Sequence, residues 1–546
     1  MSTPWEEGSQ DAKIVLIGEA PARYEVRAGR PFVGPAGYIL DEALRSARLV
    51  RRACYITNVF MEEIRKDREG KIFYSTSTGN VLWTLAHGFT EEGTEHVKAL
   101  HERLALCKAN LIMPLGGIAL AAVHEAVSIM KWRGSIMMAE QIERKIIPSV
   151  HPAAILRGQP NWKYLLIHDL KRGMEECEYS ELRLPERDIL INPPYTEVMS
   201  FLTLASTQKE IATDIEVFNY QVSCFSVALK PSLVMSIPMY DGRKDGYSEE
   251  EEASIWSLYA KILGDRGIKK IGQNLSFDAW FLYHQMGIFM EGPIGDSMVA
   301  QSILYPDFPK GLDFICSTCT REPYYKDDRK LWSKLWEDPD RFQIYNAKDS
   351  AVAMEAWYVL EKEMQEGGYI DTYNFTVDMM NPLTFMMSKG VCIDKDKLAE
   401  TKVRVSRIID EKMAELHSVS KEEFDPASPK QCQNYFYGTL GLRPYLNTKT
   451  GRPTTDDIAL ARIIRKYQLQ EARLVQEIRT LNKLSDSSLS VNLDKDGRLR
   501  CSYNIRGTWP GRLSSGGTIF GTGMNMQNID ARFREFIIPD IDMEEI

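Results

Sequence analysis

The stretch IATDIEVF, residues 211–218, sets two acids inside what otherwise reads as a buried strand. Side chains of a strand alternate between its faces, so Asp214 and Glu216 project the same way. Two bare carboxylates side by side repel, and burying either one unpaired costs several kcal/mol. A chain that keeps this pattern must bring something positively charged to that face.

At 546 residues the chain is too long for one ordinary domain, and three or four are expected. A hydrophobic share of 44% with 10% aromatics supports packed cores and excludes global disorder. The net charge of -9 argues against a generally basic protein, yet phosphate binding needs only local basic patches. Nine scattered cysteines, an odd number, read as reduced thiols. The one CxxC, Cys316–Cys319, has no second pair or nearby histidines to complete a zinc site, so it reads as structural. MSTPWEEGSQDAK lacks the basic and apolar regions of a signal peptide, and no apolar run reaches the roughly 20 residues that span a membrane. A cytoplasmic protein, of a cell or of an infected host, is expected, with no membrane partner.

Three segments follow from the patterning. Residues 1–181 alternate strand-like KIVLIGEA and LIMPLGG with helical stretches such as GYILDEALRSARLV, which predicts an α/β layered domain. Residues 182–200, rich in Pro and charge, read as a linker. Residues 201–370 form a second α/β unit, with strands IATDIEVF and VSCFSVAL followed by helices. Residues 371–546 carry long amphipathic helices, among them DIALARIIRKYQLQEARLVQEIRTLNKL. The acidic run Glu249–Glu252 after Ser248 reads as a capped, solvated helix start.

Two further acids stand out in the middle segment. IGQNLSFDAWFL places Asp278 after a short strand and turn, and YNAKDSAVAMEAW places Tyr345 and Asp349 four apart on one helix face. With 76 Asp and Glu in the chain, four acids can be unrelated surface residues, but Asp214 and Glu216 lie in an apolar strand where solvated acids are unusual. Hard oxygen ligands of this kind suit Mg²⁺ or Mn²⁺. Two such ions, about 4 Å apart, activate water and stabilise the leaving oxygen of a phosphodiester. A metal pair is therefore the expected positive charge.

The order of Asp214 and Glu216, then Asn274, Phe277 and Asp278, then Tyr345 and Asp349 resembles the three motifs of DnaQ-like 3′-5′ exonucleases. GDSMVAQSILYPDFPKGLDFI, with Asp296 and Leu312, is similar to that family's stretch between its second and third motifs. The resemblance implies an RNase H-like domain in which the four carboxylates hold two Mg²⁺ or Mn²⁺. Tyr345 then orients the attacking water, and Asn274 and Phe277 touch the DNA end.

SPKQCQNYFYGTLGLRP, TKTGRPTTDDIALARI and LVQEIRTLNKL resemble the thumb of family-A DNA polymerases. GTWPGRLSSGG and MNMQNIDARFREFIIP resemble that family's signatures at the start of the palm. The likeness assigns Arg506, Arg512, Ser515, Gln527 and Asn528 to the primer–template backbone. Residues 449–512 hold 13 basic and 7 acidic side chains, a local net of +6 able to neutralise phosphates without reading sequence. The family's two palm aspartates and fingers helix are not matched, and Asp542 falls too early for the first of them. Polymerisation by this chain alone is not expected, and the remaining palm and fingers are an expected partner. Helices within 455–484 are expected to be mobile for lack of that partner.

IGEAPARYEVRAGRPFVGPAG, CYITNV and IIPSVHPAAILR resemble the family 4/5 type of uracil-DNA glycosylase. The likeness assigns Phe32 to stacking on a flipped base, Asn58 to reading its edge and His151 to stabilising charge on the pyrimidine, with Glu19 and Glu25 as acids of the first motif. Members usually hold an iron–sulfur cluster on four cysteines. No cysteine here precedes Cys54, NVFMEEIRKD stands where a ligand belongs, and Ala22 replaces a familiar glycine. No iron–sulfur cluster is expected. Catalysis, binding without cutting, and packing against the nuclease all remain open for this segment.

The combined expectation is an α/β multidomain protein: an α/β/α glycosylase-like domain, an RNase H-like exonuclease, and a mostly helical thumb with partial palm. This is the front part of a phage-type replicative family-A DNA polymerase, acting on primer–template DNA and its single-stranded 3′ end. The alternatives are a uracil-DNA glycosylase of base-excision repair, or a non-catalytic DNA-binding platform that completes a split polymerase.

Overall fold

Ile14–Gly18 (β1) is buried along its whole length, as a strand covered on both faces must be. The computed structural model describes residues 5–64, 89–124, 128–243, 245–327 and 337–540. These fall into two compact units, Met1–Met379 and Met380–Ile546. In the first unit, β1 joins Cys54–Asn58 (β2), Leu111–Pro114 (β3), Met137–Ala139 (β4) and Arg144–Ile146 (β5) in one sheet of order β2-β1-β3-β5-β4. All neighbours are parallel except the edge pair of β4 and β5.

The alternation of β1 builds two cores. Val15 and Ile17 pack with Leu100 and Leu104 of the helix Glu91–Ala105 on one face. Ile14 and Leu16 pack with Leu40 and Leu44 of the helix Pro35–Ser46, and with Leu166 and Leu170 of the helix Trp162–Glu176, on the other. The three-layer arrangement agrees with the pattern of alternating strands and helices.

A second sheet of the same unit contains Asp188–Leu190 (β6), Glu210–Phe218 (β7), Gln221–Lys230 (β8), Leu233–Pro238 (β9), Lys269–Gly272 (β10) and Ile294–Asp296 (β11), in the order β11-β10-β7-β8-β9-β6. β7 therefore lies inside the sheet, and Thr213 and Asp214 point to opposite faces. The Thr213 hydroxyl pairs with Tyr259 at 2.6 Å on the helix Glu249–Gly264. That helix starts with a reciprocal cap between Ser248 and Glu251, so the acidic run there is the solvated start expected. Asp214 meets the 29-residue helix Pro339–Gly367, whose Asn346 amide donates to its Oδ2 at 2.9 Å.

Two boundaries differ from the sequence expectation. The stretch read as a linker supplies the edge strand β6, parallel to β9, and the helix Tyr195–Ala205, with Val198 and Leu202 fully buried. Its prolines flank these short elements rather than loosen them. At the other end, the helix Ile370–Val377 belongs with the second sheet, because Tyr373 donates to the Ile294 carbonyl at 3.0 Å and lies against Trp357.

In the second unit, the helix Lys395–Ser420 packs along Gln470–Leu484. Val391–Ile393 (β12), Arg498–Leu499 (β13) and Ile537–Ile538 (β16) make a small antiparallel sheet, while Ser502–Asn504 (β14) and Ser514–Gly516 (β15) pair separately. The long amphipathic stretch after Asp456 is two helices, Asp457–Tyr467 and Gln470–Leu484, broken where Gln468 turns left-handed at φ 55. They do not lack partners: Leu460, Ile463, Val475 and Ile478 are fully buried with Leu416 and Phe436. Asp542 lies outside the described residues.

Candidate active site

β7 and the helix Pro339–Gly367 bring the third acid to the first two. One carboxylate oxygen each from Asp214, Glu216 and Asp349 lies within 4.8 Å of the others. Tyr345 and Asp349 are buried on the same helix, one turn apart. Asp278 stands beside this trio rather than within it: from the first turn of the helix Leu275–Met286 its Oδ1 accepts the Ile215 N–H of β7 at 2.9 Å. That helix is itself pinned by Asp296. One Asp296 oxygen accepts the Leu275 N–H at 2.8 Å, and the other caps the helix Ser297–Leu304 through Met298 and Val299. Asn274 closes the turn in a left-handed conformation at φ 61, which asparagine tolerates. Phe277, half-buried, packs toward Phe281 and Trp280.

Burial raises the Asp214 carboxyl well above its ordinary range, and the charges of Glu216, Asp349 and Asp278 push it further in the same direction. Asp278 is raised as well, chiefly by burial. Such crowding of hard oxygen donors fits a divalent cation of the Mg²⁺ or Mn²⁺ kind. It is also the electrostatic debt that the strand sequence announced.

Part of that positive charge comes from a side chain the sequence reading passed over. Lys326 pairs with Asp349 Oδ2 and donates to the Tyr345 hydroxyl at 3.0 Å. Beside it, Tyr325 donates its hydroxyl to Asp349 Oδ1 at 2.6 Å, and burial keeps that phenol protonated. The run YYKDD, residues 324–328, carried the signal: a lysine among aromatics between the second and third acidic motifs. The Cys316–Cys319 pair lies nearby, both thiols raised to about 12 by burial.

In the first domain, the residues compared with a base pocket also meet. A Cβ on Gly18 would fall 2.3 Å from Asn58 Oδ1 and 2.6 Å from the Phe32 ring, so glycine is required at the end of β1. Phe32 and His151 rings lie 5.7 Å apart. His151 Nδ1 accepts the Ala153 N–H at 3.1 Å, which places the neutral ring's proton on Nε2. Burial lowers its pKa to about 4, helped by Arg157. Glu19 follows Gly18 directly, half-buried at the same strand end. Glu25 instead clamps backbone, accepting the N–H groups of Ala22 and Gly34. Cys54, Cys107 and Cys177 are buried in the two cores of this domain.

In the second unit, Ser515, Gln527 and Asn528 gather around β15. The Ser515 hydroxyl donates to Asn525 at 2.7 Å and accepts the Gln527 N–H at 3.3 Å, while the Asn528 N–H reaches the Asn525 carbonyl. Arg512 is exposed, and Arg506 lies over Gly511, where a Cβ would come within 2.8 Å of its guanidinium. The basic patch is thinner than its count suggests. Arg498 and Arg500 pair with Asp540, Asp494 and Asp496, and Arg479 caps carbonyls at Pro426 and Thr455. Lys449, Arg452, Arg462, Arg465 and Lys466 stay exposed.

Three family models divide the chain between them. Residues 5–171 match the uracil DNA glycosylase superfamily, residues 195–365 the 3'-5' exonuclease family, and residues 395–541 DNA polymerase family A. The chain thus carries a glycosylase-superfamily region, then an exonuclease region, then a region matching DNA polymerase family A. Among individual proteins, it is similar to a DNA polymerase of Bacillus phage SP01, at 21% identity over 93% of this chain and 62% of the relative. DNA polymerase I of Treponema pallidum is 27% identical over 50% of this chain and 28% of the relative. The type-4 uracil-DNA glycosylase of Archaeoglobus fulgidus is 30% identical over 31% of this chain and 79% of that protein. The chain thus spans less than two thirds of the polymerases it matches. In fold it resembles the POL domain of Pol1 from M. smegmatis, solved with primer-template DNA and dNTP, at TM-score 0.50 and 18% identity, covering 64% of this chain and 59% of that one. Among the described residues no helix is long and apolar enough to cross a membrane.

Proposed function

We propose that the chain is the front portion of a replicative family-A DNA polymerase, acting in the cytoplasm of a host cell, whose middle domain removes 3′-terminal nucleotides. The observation that carries this reading is the convergence of Asp214, Glu216 and Asp349 within 4.8 Å, with Tyr345 on the same helix as Asp349. Asp214, Glu216, Asp278 and Asp349 would hold the divalent ions. When bound, such ions supply an activated water and stabilise the leaving oxygen of the phosphodiester.

The chain's own residues do the rest. Tyr345 positions the water at its hydroxyl, and the Lys326 ammonium steadies that hydroxyl. Phe277 and Asn274, at the start of the Asp278 helix, support the terminal nucleotide. Arg506, Arg512, Ser515, Gln527 and Asn528 contact the primer–template backbone, and the remaining palm and fingers are the partner that completes synthesis. The domains run over 1–181, about 188–379 and 380–546.

The test is release of nucleotides from a 3′-labelled single-stranded oligonucleotide with Mg²⁺ or Mn²⁺. Asp214→Ala should lower the rate by more than about 100-fold, the upper end of what changes around a metal site cost. Degradation that persists unchanged in the variant would trace the nuclease to a contaminant and remove the proposal.

A second reading concerns the first domain alone. The approach of Gly18, Asn58 and Phe32 favours a pocket for an extruded uracil. Abasic sites formed in uracil-containing DNA with all divalent ions chelated would support excision there. Uracil binding without abasic sites would support recognition only.

A further inference from the structure

Residues Ser317–Asp327 run between the glycosylase-like domain and the exonuclease carboxylates, and both sides of this strap are occupied. On one side, Arg133 donates to the Ser317 hydroxyl at 2.9 Å, and Arg172 reaches the carbonyls of Ser317 and Thr320 at 3.1 and 2.8 Å. The Tyr324 N–H donates to Ser135 at 3.1 Å, the Tyr324 ring lies 5.1 Å from Trp132, and Lys131 sits over that ring while pairing with Asp327. On the other side stand Tyr325 and Lys326, both on Asp349. Tyr324 is therefore seated in the glycosylase-like domain by the same backbone that delivers Tyr325 to the nuclease.

The geometry points to a positioning role for the glycosylase-like domain in the exonuclease reaction: Lys131, Trp132 and Ser135 seat the strap that orients Asp349 through Tyr325 and Lys326. This role rests on the exonuclease reading above and needs no glycosylase chemistry. An outer partner that fixes a ligating carboxylate tunes both metal affinity and rate. Residues of a different domain, distant in sequence from every acidic motif, thereby become part of what sets the nuclease.

The experiment uses the full chain and Mn²⁺ alone as probe, with free Mn²⁺ read by electron paramagnetic resonance. Single-turnover hydrolysis of single-stranded DNA is measured in parallel. Tyr325→Phe should weaken Mn²⁺ binding by about tenfold. Lys131→Met combined with Ser135→Ala should weaken it by about threefold or more, with kcat falling in step and KM for DNA unchanged. Lys131→Arg should restore the parent values, and matching thermal midpoints show that the variants fold. In a background carrying Tyr325→Phe and Lys326→Met, the seat substitutions should have no further effect, because coupled groups are non-additive. Seat variants that bind Mn²⁺ as the parent does, or whose losses add in full to that background, overturn the role. A parent chain that binds Mn²⁺ in this pattern yet releases no nucleotides would instead overturn the exonuclease reading alone.

Discussion

His151 is half-buried beside Phe32, with Nδ1 tied to the Ala153 N–H and its pKa lowered to about 4 by burial. Its contribution to stability follows from the sign of that shift. Below about 6.5 the unfolded chain takes up a proton that the folded site refuses, so the stabilisation is full above that value and fades as pH falls toward 4. Between pH 7 and 5 the parent should lose about 2 kcal/mol more unfolding free energy than His151→Asn. Denaturant titrations at the two pH values check this, and equal losses would show an ordinary histidine. The same neutral ring, with its proton on Nε2, is what a base pocket would meet at pH 7. At this scale much was legible. Asp214 and Glu216 announced themselves by standing in an apolar strand, and Tyr345 and Asp349 by helical spacing. Tyr325 and Lys326 were not, because their meaning depends on a strap with no periodicity folding back onto Asp349.

Among the elements, the helices Asp457–Tyr467 and Gln470–Leu484 were expected to move, and their packing argues the opposite. Leu460, Ile463, Val475 and Ile478 are fully buried in a core shared with Leu416 of the helix Lys395–Ser420. Amide exchange should therefore be slow along the buried faces of both helices. Leu460→Ala should cost about 3 kcal/mol by leaving a cavity, and fast exchange there with a neutral Leu460→Ala would show that the core is not formed. The helical period that revealed the buried stripe could not reveal the break at Gln468, since a left-handed residue is a single-position event. Nor could composition show that β6 lies inside the supposed linker. A three-residue edge strand is recognised only by the β9 backbone it pairs with.

On the scale of the whole molecule, the first unit holds two domains with separate sheets, and a buried ion pair inside the first domain reaches across to the second. Arg133 and Asp169 pair with no solvent exposure on either side chain, and Asp169 also accepts from Ser149 at 2.7 Å. Arg133 extends from that pair to Ser317 of the exonuclease domain. None of this could be read from the sequence, because an arginine at 133 is ordinary until its surroundings close over it. Burial alone would raise the Asp169 carboxyl, but Arg133 overrides it and holds it at about 2. The pair therefore stabilises the glycosylase-like domain above about pH 4, and roughly 2 kcal/mol of that is lost as pH falls through 2. Arg133→Ala removes the partner of a buried carboxylate, a change that costs about 3–5 kcal/mol. Arg133→Met, which keeps volume but not charge, leaves the same carboxylate without its guanidinium partner. Relief should come only when Asp169→Asn is added, and that recovery separates lost charge pairing from lost packing. In denaturant at pH 7 the two domains of the parent should unfold together, whereas Arg133→Ala should split the transition, with the glycosylase-like domain melting apart from the exonuclease. A single unshifted transition in Arg133→Ala would mean that this buried pair supports neither the first domain nor its contact with Ser317.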